Sequence, residues 1–194
     1  MKNIFILSLT CLLIVGCSDK KASSATEETK EDLTQTTVEL VAQEKTFGVT
    51  PEVFRENLVT QAKALGNGID WNHVELEEGD EFDSFTIGLS KNATMFGVVD
   101  KNGELRAVDY ALAQTDNLES DLTSLVMMGG MTAKAINPDI KTNEVMDKIV
   151  ELLNLTASDF VKNGEAKQSV ILDDIDYSAA MTTEGLWLML KPKQ

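Results

Sequence analysis

The sequence predicts an α+β fold in which helices pack on one face of a mainly antiparallel sheet. Two observations carry that expectation. Strand-like and helix-like segments fall into separate blocks rather than alternating, and a tight-turn signal joins two strand-like runs directly. The expected order is one helix, three strands, two helices, then two strands with a possible third. No internal repeat is evident at a period of 20 to 50 residues.

The first helix opens at Thr50, whose hydroxyl suits an N-cap, with Pro51 at the first helical position and Glu52 facing the positive end of the helix dipole. Val49 and Phe54 stand where a hydrophobic staple would sit. Phe54, Leu58, Ala62 and Leu65 mark one helical face, and Gly66-Asn67-Gly68 stops the helix. Phe85, Ile87 and Leu89 then alternate with Ser84, Thr86 and Gly88, the period-two pattern of a strand. Thr94 to Asp100 is apolar on both faces, as in a central strand. Asn102-Gly103 is the signal of a type I′ turn, after which Val108, Tyr110 and Leu112 mark one face of the returning strand.

Beyond Asp116, Leu118, Leu122, Leu125, Gly129, Ala133 and Ile136 recur at helical spacing until Asn137-Pro138. A glycine inside a helix costs about 1 kcal/mol relative to alanine, so Gly129-Gly130 implies a compensating close approach of this helix to the sheet. The alternative is functional: Met127, Met128 and Met131 would line an adaptable apolar groove for a peptide or lipid. A further helix turns Val145, Met146, Ile149, Val150, Leu152 and Leu153 inward. Ser169 to Leu172, Ile175-Tyr177-Ala179-Met181 and Leu186 to Leu190 are the closing strands.

The amino-terminal segment carries the most specific motif. Lys2 gives a positive start, and the apolar run from Ile4 to Val15 is as long as a signal-peptide core but too short to span about 30 Å of hydrocarbon. It ends in Ile14-Val15-Gly16-Cys17, followed by polar residues. This constellation resembles the lipobox of bacterial lipoproteins. The resemblance implies removal of residues 1–16 and lipidation of Cys17, and hence an essentially permanent membrane anchor. Ser18, rather than aspartate, follows the cysteine; in a Gram-negative host the resemblance then implies the outer membrane, facing the periplasm. Residues 17–46 are rich in Ser, Thr, Glu and Lys and read as a lipidated cysteine plus flexible tether of ~30 Å reach, leaving residues 47–194 as one α+β domain. Phe47-Gly48-Val49-Thr50-Pro51-Glu52-Val53-Phe54 and the Ala-Ile-Asn-Pro segment ending at Pro138 also resemble small exported bacterial proteins, a loose likeness that implies no particular activity.

Composition narrows the function classes. Cys11 and Cys17 are the two cysteines; one lies in the discarded segment and the other would be acylated, so the domain holds neither disulfide nor thiol chemistry. A formal charge of −15 disfavours nucleic acid and anionic lipid headgroups and favours basic proteins or peptides, though it also serves plain solubility. Glu75, Glu77, Glu78, Asp80, Glu81 and Asp83 form the densest acidic run, six acids in nine positions. Their spacing fits no calcium loop, so the run is either a solvated loop or a docking patch for a basic partner. Asp173, Asp174 and Asp176 make a smaller group; with Asp174 and Asp176 on one strand face, an exposed polar face explains it and no metal site is expected. His73, the one histidine, lies in a polar stretch with no nucleophile-elbow motif in the chain, and Gly129-Gly130 lacks the residues of a phosphate loop. No catalytic residue and no cofactor are therefore expected. The leading expectation is a non-enzymatic envelope lipoprotein binding a protein or peptide. The alternatives are a carrier or sensor for a lipid or small apolar ligand, seated between sheet and Met-rich helix, and an immunity or inhibitor protein.

Overall fold

The computed structural model describes residues 45–66, 68–113 and 118–194. Cys17 with the lipobox-like segment before it, and the expected tether up to Glu44, lie outside them. The elements are α1 (Pro51–Ala64), β1 (Asp83–Gly88), β2 (Ala93–Val99), β3 (Leu105–Ala113), α2 (Leu118–Ile136), α3 (Thr142–Asn163), β4 (Ala166–Leu172), β5 (Ile175–Met181) and β6 (Gly185–Pro192). The class and order are those expected, and the third closing strand is present.

Two three-stranded meanders meet at β3 and β6, giving the order β1-β2-β3-β6-β5-β4 with every neighbouring pair antiparallel. Strand alternation then sorts residues into faces. Phe85, Gly97, Val108, Leu190, Tyr177 and Val170 stand opposite one another across all six strands on the inner face. Thr86, Phe96, Asp109, Met189, Ser178 and Ser169 form an equivalent row on the other. The inner row joins one apolar core with Phe54 and Leu58 of α1, Leu125 and Ala133 of α2, and Ile149 and Leu153 of α3. Helix α2 lies between the other two, touching both.

Local chemistry explains the boundaries. The Thr50 hydroxyl accepts the Val53 N–H at 3.4 Å and Pro51 opens α1. Gly164, in the left-handed region with φ +79°, ends α3. The chain entering α1 is tied to β3, because the Phe47 N–H donates to the Leu105 carbonyl and the Leu105 N–H to the Val49 carbonyl, each at 2.8 Å.

Four details differ from the sequence expectation. Leu65 does not join the buried face of α1; it is the C-cap and 56% exposed. The β2–β3 turn is not type I′, since Gly103 has positive φ and Asn102 does not. Asp100 sets its shape instead: its carboxylate accepts the N–H groups of Asn102 and Glu104, both at 2.9 Å, which lengthens the loop by one residue. A two-residue turn with both residues at positive φ does occur, at Asp173-Asp174 between β4 and β5 (φ +51° and +61°). Asp174 therefore lies in a turn and not on a strand face with Asp176. Finally, β2 is an interior strand flanked by β1 and β3, but its outer face is not buried: Phe96 there is 40% exposed.

The glycine pair of α2 behaves as close packing requires, with divided duties. A Cβ on Gly129 would come within 2.5 Å of Ile149 Cδ1 and 2.9 Å of Leu188 Cδ2, so this residue seats α2 against both α3 and the sheet. A Cβ on Gly130 would meet Met146 Cγ at 2.6 Å, so Gly130 faces α3 and not the sheet.

Candidate functional site

Five of the six predicted acidic residues lie on a strap, residues 70–82, that leads from α1 into β1, and the sixth, Asp83, opens β1. Trp71 anchors its start: the indole is buried edge-on to Phe54, with ring centroids 6.1 Å apart, and tilted against Phe85 at 5.4 Å. Arg55 Nη1 donates to the Trp71 carbonyl at 3.2 Å, and the Val74 N–H donates to the Glu52 carboxylate at 2.8 Å. That backbone bond and then Arg55 hold the Glu52 carboxyl below its ordinary pKa. Further on, Glu77 and Ser84 exchange two backbone hydrogen bonds, at 2.8 and 3.0 Å, laying the strap against the edge of β1.

The far end is fixed by Lys101. Its ammonium donates to the Gly79 carbonyl at 2.6 Å and to the Asp83 carboxylate, which also accepts the Gly79 N–H at 3.3 Å. The Lys101 bond is the main reason the Asp83 carboxyl titrates below the usual aspartate range. Gly79 is required here, because a Cβ would lie 2.2 Å from the Phe82 carbonyl oxygen. Phe82 is in turn covered by the Arg106 guanidinium, 4.3 Å above its ring.

The structure thus brings the predicted residues together and divides them. Asp83 is a structural partner of Lys101, half-buried and engaged within the fold. Glu75, Glu77, Glu78, Asp80 and Glu81 are exposed side chains on a backbone pinned at Trp71, Val74, Glu77 and Gly79. His73 is exposed on the same strap. Among the described residues no group of His, Cys, Asp or Glu is placed to hold a metal ion. No described helix is long and apolar enough to cross a membrane.

A second concavity, of ≈ 540 Å³, runs between α2 and α3. Leu122, Val126 and Met127 of α2 face Met146, Val150 and Leu153 of α3 across it, with Glu119 the one charged residue in its lining. The three methionines singled out in the sequence separate: Met127 lines this groove, Met128 is half-buried against the core, and Met131 is buried within it. The groove does not lie between the sheet and α2, which approach each other closely where Gly129 meets Leu188. Val150, expected inward, is 44% exposed at its mouth. Sequence reasoning missed the α3 wall, and the signal was available. Six apolar positions between Val145 and Leu153 cover a wider arc than one packing contact can bury.

One charged residue escaped the sequence entirely. Asp109 sits mid-sheet on the outer face, opposite Phe96 and Met189, with one carboxylate oxygen buried and without a hydrogen-bond partner among the described residues. Burial raises its pKa, and Lys191 opposes the shift.

Fold and site together define an α+β protein with three described helices on a six-stranded antiparallel sheet and an acidic strap at one sheet edge. Compared with known proteins, the chain matches no family model, no curated protein and no solved structure.

Proposed function

We propose that this chain is a lipid-anchored, non-enzymatic protein of the bacterial cell envelope whose acidic domain docks a basic protein or peptide. The observation that carries the docking reading is the strap. Five carboxylates project from a backbone held by four separate tethers, so their spacing is preorganised and a partner meets a fixed charge pattern. Fixed charges of one sign raise the association rate of a complementary surface and penalise wrong partners. The lipobox resemblance at Ile14-Val15-Gly16-Cys17 supports anchorage, and the formal charge of −15 supports a basic partner over nucleic acid. In its sharpest form the partner is a basic enzyme or toxin that the strap neutralises.

Affinity capture from detergent-solubilised envelopes tests this, using the intact protein beside a variant with Glu75, Glu77, Glu78, Asp80 and Glu81 changed to glutamine or asparagine. One basic partner should be retained at low salt and lost as ionic strength shortens screening from ~10 Å toward ~3 Å. The neutralised strap should retain much less of it. Equal capture by both forms, or none by either, overturns the docking reading. An unmodified Cys17 in the natively expressed protein, read by intact mass, overturns the anchor separately.

A further inference from the structure

We propose that the groove between α2 and α3 receives an amphipathic, basic helix of a protein partner, an inference that rests on reading this chain as a partner-binding protein. Its walls are mostly apolar, with Leu122, Val126 and Met127 on one side and Met146, Val150 and Leu153 on the other, and Glu119, Thr123 and Asn154 as the polar residues among them. From Met146 to Asn154 the α3 wall rises ~12 Å, two turns, which matches a docked helix with anchors at i, i+3 or i+4, and i+7. Met127 and Met146 can reshape to the anchors presented.

Charge selects the occupant. Glu119 stands in the wall, and Asp147, exposed on α3, adds a second carboxylate that pairs with no base among the described residues. Lys148 is engaged with Glu151 at 2.7 Å, and among the described residues no Lys or Arg lines the groove. A helix with lysine or arginine flanking its apolar stripe complements this border, whereas a second copy of this chain would set carboxylates against carboxylates.

Fluorescence anisotropy with the full chain and labelled peptides of about 14 residues tests the proposal. The first probe carries leucine at i, i+3, i+4 and i+7 and lysine elsewhere. A second replaces the leucines with glutamine, and a third the lysines with glutamate. The first should bind, and the other two at least tenfold more weakly. Val150→Asp and Thr123→Trp, both at solvent-exposed positions of the groove, should each weaken the first probe about tenfold or more, the scale set by losing one buried aliphatic contact. Circular dichroism melts should show both variants folded. The glutamine and asparagine variant of the strap should leave this affinity within about threefold.

If the groove variants bind like the parent while the strap variant does not, the groove inference falls and the strap reading stands. No binding of the first probe, equal binding of all three, or displacement by a single-chain fatty acid regardless of peptide charge also overturns it; the last result assigns the groove to lipid.

Discussion

Gly97→Ala is the sharpest probe of the core. Gly97 lies on the inner face of β2, directly opposite Phe85, and a Cβ there would lie 2.0 Å from ring Cζ, 2.1 Å from Cε1 and 2.7 Å from Cε2. The ring is essentially fully buried and walled by Trp71, so it cannot swing into solvent. In a strand interior the glycine itself is unfavourable by about 0.5–1 kcal/mol relative to alanine, which works in favour of the substitution. Overpacking costs about 1–3 kcal/mol, and overlap with three ring atoms places this case at the upper end. The net loss is then about 2 kcal/mol, or about 4–8 °C in Tm for a folded unit of this size. Phe85→Leu alone should cost about 1–2 kcal/mol, but it should cost almost nothing in the Gly97→Ala background. Urea melts of the two single variants and the double variant close the cycle, with an expected coupling of at least about 1 kcal/mol. A Gly97→Ala protein that melts at or above the parent, or two changes that simply add, would refute the reasoning.

The glycine pair of α2 should split: Gly129→Ala destabilises by about 1–3 kcal/mol because Ile149 and Leu188 are buried, whereas Gly130→Ala should cost less, because the half-buried Met146 it meets at Cγ can re-rotate toward solvent. Thermal melts of the two separate these outcomes. Tyr110 shares a buried hydrogen bond with Thr132, so Tyr110→Phe should cost about 1–2 kcal/mol; the Tyr177 hydroxyl lacks a partner among the described residues, so Tyr177→Phe should be neutral or stabilising. Asp173→Asn with Asp174→Gly relieves two positive-φ residues and should raise stability by about 0.5–1 kcal/mol in urea titration. Asp109 has a folded pKa above its unfolded value of about 3.9, so stability is lost as pH rises through that interval and stays lower above it. Asp109→Val should therefore stabilise by about 1 kcal/mol at pH 7 and by less at pH 3, and an equal gain at both would contradict the assignment.

Local signals made the elements legible, because caps, turn glycines and periodicity act within a few residues. Thr50-Pro51, Asn137-Pro138 and the alternation Ile175-Tyr177-Ala179-Met181 each declare themselves without knowledge of the rest of the chain. Long-range pairing left no such trace. The contact of β3 with β6 sets Val108 opposite Leu190, and nothing near either residue encodes the other. Nor does local sequence say which sheet face the helices cover: Phe96, apolar on the outer face of β2, is exposed because the described helices pack on the opposite face. Turn type failed for a related reason: Asn102-Gly103 has the right residues for type I′, but the upstream Asp100 carboxylate captures two backbone N–H groups and enforces the longer loop.

The candidate site divides along the same line. That Glu75 to Asp83 form one acidic run is composition, and composition alone does not separate a docking patch from a solvated loop. What distinguishes them physically is whether the backbone beneath the charges is held. The tethers that hold it come from Glu52 and Arg55 on α1, Ser84 on β1 and Lys101 beyond β2, all outside the run itself. A carboxylate on a freely moving loop contributes to a diffuse field, and ordering it on binding costs conformational entropy. On this strap that entropy has already been lost in folding, so a partner that matches the spacing gains the electrostatic attraction without ordering the backbone. Cutting one tether while leaving every strap carboxylate in place therefore separates charge from preorganisation. Lys101→Met should slow partner association little, because the strap acids remain, but should speed dissociation. A change confined to the association rate would mean that the field alone matters and that the pinned geometry has no part in recognition.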